Sequence, residues 1–173
     1  MSVAEEVADA AFRNENSVDI AAAPDAVWPW LVQMGFGRAG WYSWDLIDNL
    51  GRRSATELHP EWMVRRAGEP VPGGPIVFDT PVVDEPEYFV ISFGPKRILL
   101  WTVTFVLSYR LHPVAEGCAL TSVATARIDG PLGRPAARHL LGPGDDVMVR
   151  KQLRGIRERA EALASRAPLD GDR

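Results

Sequence analysis

Asp45 and Asp48 are the residues whose type and spacing could most directly do chemistry. Separated by one helical turn, they would share a face, as a carboxylate pair doing acid–base work would. The same pair could instead be held by hydrogen bonds to Arg38, Tyr42 or nearby backbone amides, and both readings stay open. A buried acid needs partners, or a raised pKa that would make it a useful acid or base. Tyr42 and Asp45 are therefore the candidate proton-transfer residues. The run Gly35-Phe-Gly-Arg-Ala-Gly40 has the G-x-G-x-x-G spacing of a dinucleotide loop. That loop needs a strand before it and a helix after it in a parallel sheet, whereas here a helical pattern precedes it. We read it as a turn between helices. His59, His112 and His139 stand alone, without the H-x-x-x-H spacing of a zinc site, so no metal or other cofactor is expected. No G-x-S-x-G elbow is present, and Cys118 opens a strand pattern where a buried, inert thiol fits best.

The elements that would position these groups belong to one domain. The chain has 173 residues, of which 46% are hydrophobic and 24% charged, an ordinary globular balance with enough apolar material for one core. A formal charge of −4 argues against a nucleic-acid partner, which usually meets a basic face. A single cysteine excludes an internal disulfide. The first residues are acidic where a signal peptide would be basic, which points to a cytoplasmic location. The longest apolar stretch, Ile98 to Leu107, is about half the ~20 residues of a membrane span, so no span is expected. Five of the six tryptophans fall between Trp28 and Trp62.

Residues 1–16 read as a tail or short amphipathic helix, 17–165 as the single domain, and 166–173 as a frayed tail. Val18 and Ile20 alternate with polar neighbours in a short first strand over Ser17–Ala21. Pro24 and Asp25 suit a helix start, and Pro29 predicts a kink or a later start. Trp41 to Leu50 carries two apolar stripes and predicts a well-buried second helix ended by Gly51. A short strand is expected around Trp62–Arg66. Ile76–Asp79, Tyr88–Phe93, Ile98–Leu111 and Ala119–Ile128 then read as strands of an antiparallel meander. In the longest of these, Leu99, Trp101, Val103, Phe105, Leu107, Tyr109 and Leu111 share one face. Small residues on the following strand could either be filled by these large side chains or leave a cavity. Val149, Leu153, Ile156, Ala160 and Leu163 recur at spacings of four and three, the pattern of a long C-terminal helix. Its basic residues interleave with acids as a solvated face would.

The run Ala23-Pro24-Asp25-Ala26-Val27-Trp28-Pro29-Trp30-Leu31 resembles the A-P-x-x-V-W-x-x-L opening of the SRPBCC superfamily. These are the START-like, helix-grip proteins, among them polyketide cyclases, dehydrases and lipid-transfer proteins. Residues 33–45 with Asp48-Asn49, and the final stretch 147–161, are similar to a bacterial subgroup of it. The resemblance implies an α+β fold: a curved antiparallel sheet gripping a long C-terminal helix, with two short helices after the first strand. It also implies an apolar ligand held between sheet and helix, and it supplies no shared catalytic residue. The leading expectation is a small apolar or aromatic partner, lipid-, polyketide- or metabolite-like. Phe78, Phe93, Trp101, Phe105, Tyr109, Leu153 and Ile156 would line its cavity, and Arg38 and Asp48 would orient its polar end. A cyclase or dehydratase working through Asp45 or Tyr42 is the second reading. A non-catalytic interaction module with a solid core is the third. Oligomeric state stays open.

Overall fold

The structure, a computed structural model, describes residue 10 and residues 12–131 and 142–166. Its strands are β1 (Phe12–Ile20), β2 (Val71–Pro72), β3 (Val77–Asp84), β4 (Tyr88–Ile98), β5 (Trp101–Val114) and β6 (Gly117–Asp129). They form one antiparallel sheet in the order β1-β6-β5-β4-β3-β2, curved and unclosed. Helices α1 (Pro24–Val32) and α2 (Asp45–Asp48) follow the first strand, and the long α3 (Gly142–Ala164) packs against β1 and α1. This is the α+β helix-grip architecture that the resemblance implied.

The curvature has a local cause. Pairing between β3 and β4 slips between Asp79 and Val82, and pairing between β4 and β5 slips between Phe93 and Lys96. An extra residue on one strand bends it and increases its twist. At the second slip Gly94 has φ 88°, and a Cβ there would lie 2.2 Å from the Val103 carbonyl oxygen. Only glycine fits that approach.

Several elements differ from the sequence expectation. β1 begins at Phe12 rather than Ser17, because Asn14 and Asn16 hide its period of two; Asn16 accepts from Arg150 Nε at 3.1 Å. The expected N-terminal helix lies outside the described residues except at its end, where Phe12 and Arg13 are already strand. The start of α1 is not delayed by Pro29, which lies inside the helix. The carbonyl that Pro29 leaves unpaired belongs to Asp25, an exposed residue where water can take it.

The largest correction concerns Trp41–Leu50. Only Asp45–Asp48 is helical, one turn, and Leu46 and Ile47 are 80% and 67% exposed rather than buried. Positive φ values at Tyr42 and Leu50 take the chain out of helix on either side. In place of the expected strand at Trp62–Arg66 there is a 3-10 turn at Pro60–Trp62, and the Val64 amide donates to the Val32 carbonyl at 2.9 Å. The inward face of β5 is uniform only in its second half. Leu107, Tyr109 and Leu111 are buried and Trp101 is exposed, while Leu99, expected in this strand, lies in the turn between β4 and β5 with φ 55°.

The core lies between the sheet and α3. Val149, Leu153, Ile156 and Ala160 are buried, as their spacing requires. The outer face of α3 carries the i,i+4 pairs Asp146–Arg150 at 3.0 Å and Arg157–Glu161 at 3.1 Å. Arg159 departs from that solvated pattern. Its guanidinium lies 4.7 Å from the Tyr42 ring and donates to the Ala55 carbonyl at 2.7 Å, tying α3 to the loops after α1.

Candidate functional site

A cavity of about 560 Å³ opens beside the first half of α3. The sheet contributes Phe78, Ile91, Phe105 and Leu107; α3 contributes Met148, Val149 and Gln152. Phe36 and the Gly73–Pro75 turn form one wall, and the segment through α2 forms another with Trp41, Ser43, Ile47, Asp48 and Leu50. Ile47 and Leu50 are exposed as well as lining, which makes them rim residues at the mouth. Inside, the Phe78 ring meets Trp41 edge-on at 5.8 Å and Phe105 at 6.1 Å, so aromatic surface dominates the sheet side.

Asp48 is the acid in this lining. Both of its carboxylate oxygens are shielded from solvent without a hydrogen-bond partner. Burial pushes its pKa above 3.8, and the nearby charge of Asp45 pushes the same way. The Ser43 hydroxyl and local backbone amides oppose these effects. The Ser43 hydroxyl also donates to the Met148 carbonyl at 3.1 Å, so its hold on Asp48 is shared.

The two acids have separated roles. Asp45 is not in the cavity lining; it accepts from the Ser54 amide at 3.1 Å and from the Ser54 hydroxyl. Tyr42 is also outside the lining, packed edge-on against Trp30 at 6.1 Å. Its hydroxyl accepts from Gln33 Nε2 at 2.7 Å. Burial drives the phenol pKa far up, with Gln33 and Arg159 opposing, so it stays neutral. Gln33 is wholly buried and also receives the His59 amide at 2.9 Å, clasping loop to loop.

The remaining candidates divide by position. Phe78, Phe105 and Asp48 line the cavity. Phe93 lies behind Phe78, ring to ring at 6.5 Å. Tyr109 is buried beneath the cavity and donates to Gln152 Oε1 at 2.8 Å, so it positions a lining residue. Leu153 and Ile156 belong to the core further along α3. Arg38 donates to the Trp62 carbonyl at 3.4 Å, and Trp101 is 38% exposed with its indole N–H donated to the Pro131 carbonyl at 2.9 Å. Neither lines the cavity.

The lining residues that sequence reasoning missed had differing signals. Gln152 was findable: a polar residue beside Val149, Leu153 and Ile156 on an apolar stripe. Ile47 and Leu50 sit on the apolar stripes of the expected buried helix, so nothing in the sequence marks them as a rim. The glycine-rich run proves to be a tight turn, with Gly35 and Gly40 bridged antiparallel after α1, and no parallel strand precedes it. His59 stacks on Trp62 at 3.9 Å and pairs with Glu61. His139 lies outside the described residues. Among the described residues no three His, Cys, Asp or Glu side chains converge as a metal site would require. Cys118 is buried, and burial pushes its thiol up to about 11, away from thiolate chemistry. No described helix is long and apolar enough to cross a membrane.

No protein-family model and no curated protein matches the sequence. Solved structures do match the fold. A protein from Rhodobacter sphaeroides superposes with a TM-score of 0.54 at 16% identity, over 88% of this chain and 94% of its own. Norcoclaurine synthase from Thalictrum flavum, solved as a point mutant with a transition-state analogue, gives 0.54 at 14% identity, over 88% and 96%. The di-domain ARO/CYC StfQ of steffimycin biosynthesis gives 0.50 at 18% identity, over 94% of this chain and 55% of its own. The chain thus shares the helix-grip fold of these structures.

Proposed function

We propose that this protein binds a small apolar or aromatic molecule in the cavity between its sheet and α3. The observation that carries the reading is the cavity itself, about 560 Å³ with aromatic and aliphatic walls and few polar groups. Such a lining fits ligand binding, in which apolar surface supplies affinity and a few polar atoms fix orientation. The fold neighbours include the ARO/CYC StfQ of steffimycin biosynthesis and norcoclaurine synthase with a bound transition-state analogue, which supports a small-molecule ligand of polyketide or related metabolite type. The open interior supports this reading over a solid-core interaction module.

The test is titration with a neutral apolar fluorophore such as N-phenyl-naphthylamine. One molecule should bind per chain. Phe105→Arg, which sets a charge in the cavity wall from a half-buried position, should abolish binding while the circular dichroism stays that of the folded protein. Trp101→Ala, outside the lining, should leave binding unchanged. Binding that survives Phe105→Arg, or no binding to the parent protein, would sink the proposal.

One observation favours a second, enzymatic reading. A carboxyl with a raised pKa on a residue that lines an apolar cavity is a starting point for general acid–base chemistry. Proton transfer of cyclase or dehydratase type would then fall to Asp48, not to Asp45 or Tyr42, whose polar atoms are engaged elsewhere. Asp48→Asn should remove turnover of a true substrate; undiminished turnover would dismiss the reading.

A further inference from the structure

We propose that the tip of the β4–β5 hairpin is a docking surface for anionic lipid bilayers, into which Leu99 and Leu100 insert while Lys96 and Arg97 meet the headgroups.

The tip is built against the preference of its turn. Ile98 pairs with Trp101, so Leu99 and Leu100 alone close the hairpin. Two-residue turns of this kind favour Gly, Asn or Asp, because they need left-handed backbone. Here Leu99 holds φ 55°, a conformation costly for a bulky side chain. Leu99 and Leu100 are 80% and 71% exposed, so packing within the fold does not offset that cost. Ile98 and Trp101 are exposed beside them. Single exposed leucines are ordinary, but four consecutive large apolar residues at one turn form a patch. The tip also stands clear of its neighbours. The last β4 residue paired with β3 is Ser92, so Phe93 to Ile98 runs on past that pairing. On the other side β6 ends at Asp129, opposite Thr102.

Charge decides what covers the patch. Lys96 and Arg97 stand exposed immediately behind the leucines, opposite Val103 and Thr102. Lys96 Nζ lies 5.7 Å from the centroid of the Phe93 ring, a contact that keeps its charge. The neighbouring acid, Asp129, is paired with Arg127 at 2.8 Å. An apolar point with cations behind it matches the layering of an anionic bilayer, in which phosphates overlie the acyl boundary. Trp101 at the shoulder suits the headgroup level, where indole rings gather. A protein partner fits less well, because this tip falls far short of the roughly 20–30 residues a side of a stable interface. The chain carries a net −4, so attraction is confined to this local field and the protein approaches tip first. The contact is peripheral and independent of what the cavity holds.

The experiment sediments the full chain with two kinds of vesicle, phosphatidylcholine alone and equal parts phosphatidylcholine and phosphatidylglycerol. Each basic residue near an anionic surface contributes roughly fivefold in affinity, so the mixed vesicles should bind about tenfold tighter or more. High salt should erase that margin. Leu99→Gly combined with Leu100→Ser should cut binding to mixed vesicles by about tenfold. Its Tm should be unchanged or higher, since glycine accepts the left-handed turn. Lys96→Gln combined with Arg97→Gln should bring the two vesicle types to within about twofold, and it tests the tip even if the leucine variant fails to fold. No binding to mixed vesicles, or a preference for them unchanged in the Lys96/Arg97 variant, would overturn the proposal. Binding unchanged in the leucine variant would overturn it too, moving the contact to another apolar surface such as the rim at Leu46, Ile47 and Leu50. A concentration-dependent dimer that the leucine variant dissociates would assign the tip to a second copy of this chain instead of a bilayer.

Discussion

Asp48 decides most of what can be said about chemistry, and its environment makes a stability prediction independent of any ligand. Its pKa in the folded protein lies above the ordinary 3.8, so the folded state holds that proton more tightly than the unfolded chain does. Its stabilising contribution is complete below 3.8 and is lost as pH rises through the raised value. At neutral pH the ionised group is a net cost, and Asp48→Asn should relieve it. An unsatisfied buried group costs roughly 1–3 kcal/mol; for a partly exposed one about 1 kcal/mol is reasonable, a gain of a few degrees in Tm. The gain should vanish in melts run below 3.8, and a variant less stable than wild type at neutral pH would contradict the orphaned carboxylate. The acid pair was visible in the sequence, but the difference between its members was not. Asp45 is taken up by Ser54, in a loop with no periodicity linking the two residues.

At the scale of elements, α3 and the strands were legible and the α1-to-β2 connection was not. The stripe of α3 appears because a regular helix repeats its buried face every three or four residues. The Trp41–Leu50 segment showed the same period without being a helix, since its aromatics pack individually: Trp41 on Phe78, Tyr42 between Trp30 and Arg159. Gly155 records how closely α3 presses on that segment. A Cβ at this position would lie 2.3 Å from the Tyr42 carbonyl oxygen and 2.9 Å from its Cβ. In an exposed helix Gly→Ala would gain about 1 kcal/mol. Here Gly155→Ala should instead destabilise by about 2 kcal/mol, because helix or loop must shift to relieve the overlap. Denaturant unfolding measures it, and a stabilised variant would show that the contact is looser than the geometry states.

At the scale of the whole molecule, the cavity joins three parts that are distant in sequence: the sheet, the start of α3 and the segment through α2. A ligand bound there should raise global stability by linkage, about 2.7 kcal/mol at a hundredfold excess over Kd. The melting temperature should rise by several degrees with saturating N-phenyl-naphthylamine, and not in Phe105→Arg. A ligand that binds without moving Tm would mean a site outside the cooperative fold. The tryptophan excess also resolves at this scale. Trp28 and Trp30 are core, Trp41 faces the cavity, and Trp101 stands at the exposed end of β5. By itself the sequence determined what repeats locally: β strands by alternation, the long helix by its stripe, and the helix-grip fold through the motif around Trp28. Only tertiary structure decided which side chains meet across the interior. Helical and strand periods report which face is buried, but whether a buried face is filled or hollow depends on sheet curvature and helix placement. Those are set by bulges and by contacts such as Gly155 against Tyr42, which link residues too far apart for any period to record.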